Sequence, residues 1–253
     1  MPQNNTVELW HHLLPFKDGN HHKYDYGHAL IYAAPKLTGA TRLAATACAR
    51  TGCGLVSVIS PPQCADTYRA SLPAHIIVRE ESETFNKNTV SAQLFGPGGT
   101  HIKPETQSKI STVFDADALQ NLPPNLPPHY VLTPHMGEFK RCFPEVEGTP
   151  EEMADKAAKK LGCIIVLKGA ETIIASPERT PIINRHSSPW LATAGTGDVL
   201  AGILTGLLAV SVPAFEAACA AVWLHGEASI KAGPYMVASD LESQLQNVLN
   251  SLG

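Results

Sequence analysis

Apolar residues in this chain come in short unbroken runs separated by longer mixed segments, and that block pattern predicts a strand and helix alternation. Runs at residues 29–34, 55–59, 76–78, 90–95, 112–115, 130–133 and 164–167 end in proline, glycine or polar residues. Continuous apolar runs of this length suit strands buried on both faces of a parallel sheet. Between them, residues 38–51, 62–72, 150–161, 199–209, 213–232 and 239–249 read as helices by composition and spacing. The helix at 150–161 has the fullest start signal: Thr149 as cap, Pro150 in the first turn, Glu152 completing a T-x-x-E box, and Gly162 beyond its end. Residues 171–176 and 181–185 predict an antiparallel pair turning around Pro177 and Glu178. Residues 1–27 are polar, histidine-rich and without a convincing period, so they read as an N-terminal extension of one domain spanning 1–253.

Such alternation implies an α/β fold with a central, mainly parallel sheet and helices on both faces. Ligands of these sheets bind at the carboxyl ends of the strands. Five polar turns fall there: Gly96 to Gly99, Asp115 with Asp117, His135 with Glu138, Lys168 to Thr172, and Gly195 to Asp198. The last is the sharpest, because L-A-T-A-G-T-G-D-V-L-A-G runs from a glycine turn straight into an apolar helix. Amides converging at a helix N-terminus favour a phosphate. A carboxylate beside such a cradle is repelled unless it handles a proton or a cation, so Asp198 is a candidate general base. Plainer readings stand beside these. Thr196 or Asp198 caps the helix, Lys168 snorkels from a strand end, His135 is a turn histidine bonded to a carbonyl, and Asp115 and Asp117 cap a short helix near Ala118. Glu138 either reaches a magnesium ion through water or caps a helix.

Composition narrows the class of partner. Hydrophobic residues make up 44% and charged residues 17%, as in globular domains, and the net charge of −4 offers no basic footprint for nucleic acid. No run of 18 apolar residues offers a membrane span, and a cytoplasmic address is expected. The six cysteines lack a C-x-x-C pair and read as reduced. His11, His12, His21 and His22 lie near Glu8, Asp18 and Asp25 but reproduce no known zinc spacing, so no protein metal site is expected.

The motifs T-P-H-M-G-E at 133–138, V-L-K-G-A-E-T at 166–172, D-A-D-A-L at 115–119, T-G-A-T-R-L-A-A at 38–45 and L-A-T-A-G-T-G-D-V-L-A-G at 191–202 resemble the ADP- or ATP-dependent NAD(P)H-hydrate dehydratases of the ribokinase-like superfamily. The resemblance spans about residues 23–242. It implies repair of hydrated NADH and NADPH (NADHX and NADPHX), with ADP or ATP as co-substrate, Mg2+, and a homotetramer. By the same resemblance, Lys168, Gly169, Ala170, Glu171, Thr172 and Gly197 contact the nucleotide. His135, Gly98 and Ala40 contact the hydrated nicotinamide nucleotide, and Asp198 is the base on its hydroxyl. Ala33-Ala34-Pro35 stands where the family has two glycines and a serine, Ala194 where it has glycine, and Gly99-Thr100 where leucine and glycine are usual. The alternative is a ribokinase-like kinase acting on a vitamin-precursor alcohol; such kinases carry asparagine where His135 stands.

Overall fold

A computed structural model describes residues 3–15, 17, 20–100, 102, 109–123 and 125–253. Ten strands form one sheet: β1 (Gln3–Asn4), β2 (His28–Tyr32), β3 (Leu55–Ser60), β4 (Ile77–Glu80), β5 (Ala92–Phe95), β6 (Ser111–Phe114), β7 (Val131–Leu132), β8 (Ile164–Leu167), β9 (Thr172–Ser176) and β10 (Arg179–Asn184). Their order is β1-β10-β9-β8-β7-β6-β5-β2-β3-β4. All pairings are parallel except β8 with β9 and β9 with β10, the antiparallel unit expected from residues 171–185. The chain winds outward from β2 through β3 to β4, then from β5 through β8 the other way, so the strand order reverses between β2 and β5.

Helices cover both faces. Thr38–Ala49 (α1), Ala65–Ser71 (α2), Thr196–Ala209 (α5), Ala214–Ala232 (α6) and Asp240–Leu252 (α7) pack on Ala29, Ile31, Val58, Leu94 and Val113. Met136–Cys142 (α3) and Pro150–Leu161 (α4) pack on Phe95, Phe114, Leu132 and Ile165. Alternate residues of one strand thus serve opposite cores, the period-2 geometry of a strand. In α5 every residue except Gly197 and Asp198 is buried, which accounts for a helix apolar on all sides. A Cβ on Gly202 would stand 2.2 Å from the Ala44 carbonyl oxygen, so α5 and α1 meet backbone to backbone. The alanine-rich face of α1 is taken up by this contact: Ala44, Ala45 and Ala47 are fully buried within the chain.

Several boundaries shift for local reasons. The first core strand ends at Tyr32, not 34, although the Ala33 amide still donates to the Ile59 carbonyl (2.9 Å). The expected helix at 62–72 opens with a 3-10 turn, Pro62–Cys64, and the one near Ala118 is entirely 3-10, Ala116–Asn121. Helix α3 was expected only through the capping reading of Glu138, which its capping box bears out; it is seven residues long with Phe139 alone fully buried. The N-terminal stretch without a period supplies edge strand β1, parallel to β10, and the fully buried Trp10, whose ring lies 5.4 Å from that of Trp223.

Candidate active site

The site begins at the start of α5, which lies three residues earlier than the apolar pattern suggested and so carries Thr196, Gly197 and Asp198 in its first turn. Gly195 is the cap, at φ +92°, and no side chain caps the helix, which removes the plain capping role for Thr196 and Asp198. The Thr196 hydroxyl instead donates back to the Leu191 and Thr193 carbonyls (2.8 and 3.0 Å). Buried His225 on α6 donates from Nε2 to the Thr196 carbonyl (2.9 Å). Burial first, and the nearby Lys168 charge after it, outweigh that bond and lower the His225 pKa to about 4, so the ring is neutral. The helix N-terminus is therefore held rigidly, with its positive end uncapped.

Lys168, at the end of β8, faces it. Its Nζ donates to Asp115 Oδ1 (2.8 Å), and the Thr133 hydroxyl donates to the same oxygen (2.8 Å). The Asp115 side chain is 3% exposed and that of Lys168 18%, so this is a half-enclosed ion pair and not a snorkelling lysine. Burial alone would lower the Lys168 pKa; Asp115 first, then Glu138 and Asp198, outweigh it and hold it above the usual value. Asp115 makes no cap to the following 3-10 turn, contrary to the plainer expectation, because its carboxylate is committed to Lys168. Gly197 is helical; its missing side chain matters for space, since a Cβ there would sit 3.3 Å from Lys168 Nζ. Asp198 is pushed up to about 6, by burial first and by Asp115, with Lys168 opposing and Glu138 adding.

A cavity of about 710 Å³ opens at this point. Lys168, Gly169, Ala170, Thr172 and Gly197 line it together with His135, Leu200 and His225. Glu171 is absent from that lining: its carboxylate pairs with Arg185 Nε at 2.7 Å, and Arg185, which does line the cavity, also donates to Asn4 Oδ1 (2.6 Å). Asp198, Gly98 and Ala40 lie outside the lining as well. Gly98, at φ +78°, packs on α1, where a Cβ would come within 2.9 Å of that of Ala40 and 3.0 Å of that of Ala34. Thr41 ties this corner, accepting from the Ala34 amide (2.9 Å) and donating to the Pro97 carbonyl (3.2 Å).

His135 caps α3. Its Nδ1 accepts from the Gly137 and Glu138 amides (3.0 and 3.2 Å), and Glu138 Oε2 accepts from the His135 amide (2.8 Å), a reciprocal capping box. Nδ1 bonds amides and not a carbonyl, and Nε2 of half-exposed His135 lies 3.5 Å from Glu138 Oε1. A backbone bridge joins His135 to Lys168, and Gly99 and Asp117 approach each other, so the five turns form one continuous rim.

A family model described as NAD(P)H-hydrate dehydratase matches residues 29–249, nearly the whole sheet and every residue of this rim. The chain belongs to the NAD(P)H-hydrate dehydratase family. The chain is 33% identical to the ADP-dependent (S)-NAD(P)H-hydrate dehydratase of Neisseria meningitidis, over 88% of this chain and 83% of that one. It is 36% identical to a bifunctional NAD(P)H-hydrate repair enzyme of Thermosynechococcus vestitus, over 83% of this chain and 46% of the relative. The chain thus spans about half the length of the bifunctional enzymes it matches. Among solved structures it is similar to the ADP/ATP-dependent NAD(P)H-hydrate dehydratase of Bacillus subtilis co-crystallised with ATP and Mg2+, with TM-score 0.82, 27% identity, and coverage of 100% and 99%. The fold is ribokinase-like.

Three rim residues of this dehydratase-family chain carry roles that the sequence pattern did not assign to them. Asp115 was visible at a strand end, but only the fold shows that Lys168 lies beside it. Arg185 and His225 gave no signal, the one at the last position of a predicted strand and the other inside an apolar helix. Among the described residues no three histidine, cysteine or carboxylate side chains form a metal-binding group, and no helix is long and apolar enough to cross a membrane. Asp18, noted near the histidine pairs, lies outside the described residues.

Proposed function

We propose that this chain dehydrates NADHX and NADPHX to NADH and NADPH, using ADP or ATP with magnesium. The observation that carries the reading is the Asp198 carboxylate, half-buried in the first turn of an uncapped helix that faces Lys168; burial and then Asp115 push its pKa up to about 6. A base with a pKa near the working pH is suited to proton transfer. Asp198 takes the proton of the substrate hydroxyl, the oxygen attacks the terminal phosphorus, and the nucleotide leaves with its former bridging oxygen. The ring nitrogen's lone pair then expels phosphate by breaking the carbon–oxygen bond, and loss of a ring proton completes the dihydropyridine. Phosphate leaves where hydroxide would not. Lys168 and the amides of the α5 first turn stabilise charge on the phosphoryl group, a class of interaction worth roughly 100- to 1000-fold per donor.

In this reading Gly169, Ala170, Thr172 and Gly197 shape the nucleotide site with Lys168, Glu171 acts on it through Arg185, and Ala40, Gly98 and His135 position the substrate. The carboxylates fit magnesium held mainly by phosphate and water: Asp115 is occupied by Lys168 and Thr133, and Glu138 by the His135 amide. Magnesium would supply charge neutralisation to the phosphates when bound; Glu138, whose Oε2 caps α3, would be the carboxylate to reach it through water. The cytoplasm is the proposed location, and a homotetramer the proposed assembly; the exposed neighbours Trp190 and Tyr235, with rings 4.8 Å apart, support self-association.

The test is an assay at the reduced-nicotinamide absorbance with purified protein, NADHX or NADPHX, magnesium, and ADP or ATP in turn. A rise that requires nucleotide is expected. No rise with either nucleotide, together with phosphorylation of a vitamin-precursor alcohol, would give the site to a kinase.

A further inference from the structure

One wall of the proposed nucleotide cavity is held from behind by side chains that take no part in lining it. Asn184 closes β10 and the chain then leaves the sheet: Asn184, Arg185, Ser187 and Ser188 line the cavity, whereas His186 turns onto α6. Its ring stacks on that of Trp223 (4.8 Å, 12°), and its Nε2 donates to Glu227 Oε2 (2.7 Å), whose other oxygen lies 3.6 Å from Lys231 Nζ. The His186 carbonyl presses on Gly226, where a Cβ would come within 1.8 Å of it, and the Ser188 amide donates to Ser229 Oγ (3.2 Å). Trp223, Gly226 and Glu227 stand at i, i+3 and i+4, one strip of the helix. Val222 and His225, on the adjoining strip, line the cavity itself. Helix α6 therefore supplies part of the cavity lining and, through His186, sets where the wall stands.

That arrangement is braced in turn by the polar stretch that precedes the core strands. Fully buried Trp10 packs on the same Trp223 ring (5.4 Å, 53°). Buried Asn5 donates from Nδ2 to Asn184 Oδ1 (2.9 Å) and to the Cys219 carbonyl of α6 (2.8 Å), and Asn184 Nδ2 donates to the His186 carbonyl (2.9 Å). Asn5 thus ties the root of the wall to the helix beneath it. The family model begins its match at residue 29, so both braces lie outside the matched residues. A wall free to move is competent to bind only part of the time, and apparent affinity falls by that fraction. Asp198 belongs to α5, outside this chain of contacts, so the chemical step does not share the penalty.

Resting on the dehydratase reading, we propose that His186 is a positioning residue for the nucleotide co-substrate, held in register by Asn5. Titration calorimetry with ADP, and steady-state rates with NADHX, test this on the whole protein. His186→Ala and Asn5→Ala are each expected to raise the Kd and KM of ADP about tenfold, as for a wall in place about one-tenth of the time, with kcat and the KM of NADHX unchanged. A role confined to stability would lower Tm and leave the ADP constants of the folded protein alone. Glu227→Gln keeps an acceptor for the ring and is expected to stay within about threefold, since charge at a partly exposed pair adds little. His186 is only half-buried, so its variant carries the test even where Asn5→Ala fails to fold. ADP affinity unchanged in either folded variant, or kcat falling as far as affinity does, would overturn the proposal and leave the dehydratase reading intact. Weakened ADP binding in the variants, with no turnover of NADHX by the unaltered protein, would sink the dehydratase reading and leave the wall assignment standing; no ADP binding by the unaltered protein would overturn both.

Discussion

Asp198 holds a charge that its surroundings resist, and two measurable consequences follow at the scale of the residue. Its carboxyl, pushed up to about 6, is a base only above that pH, so kcat/KM should fall as pH drops through about 6. A pH–rate profile that stays flat down to about 5 would contradict it. Asp198→Asn should lower turnover by several powers of ten while ADP affinity stays within a few-fold. The same variant should be more stable. A carboxyl whose folded pKa lies above its unfolded value penalises the native state fully above about 6 and not at all below the usual carboxylate range. The gain from this substitution, ~2 kcal/mol for a partly exposed group, should therefore appear at about pH 8 and vanish near about pH 4. Lys168→Met makes the opposite case: it strands the enclosed Asp115 carboxylate, and breaking a buried pair from one side costs about 3–5 kcal/mol, to be read from urea melts.

At the scale of the element, α5 is both the central buried helix and the carrier of Asp198, the proposed base, and its glycines divide these duties. Gly202 permits contact with α1, and even Gly202→Ala drives a Cβ to 2.2 Å of the Ala44 carbonyl; a loss of ~3 kcal/mol or more is expected in denaturant melts. Gly39→Ala on α1 meets nothing within 4 Å and should gain about 0.5–1 kcal/mol by helix propensity. Were the two variants equally stable, backbone packing of α5 on α1 would not be what these small residues serve. Elements with complete local signals were legible in sequence: α4 has its box at Thr149 and Glu152 and its left-handed stop at Gly162, φ +79°. Helix α3 was legible only in its Glu138 cap, because a histidine cap accepting amides at Nδ1 is a poor sequence signal and one buried phenylalanine makes no period. Strand β1 was invisible for a related reason: a two-residue edge strand has no alternation to show.

At the scale of the whole molecule, rim and sheet form one object, so a ligand in the proposed nucleotide cavity should stabilise the entire fold. Saturating ADP at about 100 times its Kd is expected to add about 2.7 kcal/mol, visible as a rise in Tm that Lys168→Met largely abolishes. Sedimentation velocity tests the assembly: a species near four times 27.0 kDa is expected, and Trp190→Glu with Tyr235→Glu should shift it to smaller ones. A monomer in the unaltered protein would retire the tetramer. The sequence by itself determined the alternation of strands and helices, the glycine turn before the apolar helix and the polar turns at strand ends, since each depends on neighbours within a few residues. Only the tertiary structure decided that Asp115 belongs to Lys168, that His225 steadies Thr196, that Glu171 turns to Arg185, and that His186 turns to Glu227. Those pairings join residues 14 to 53 positions apart, and strand order, a collective outcome of packing both faces of the sheet, sets which of them meet.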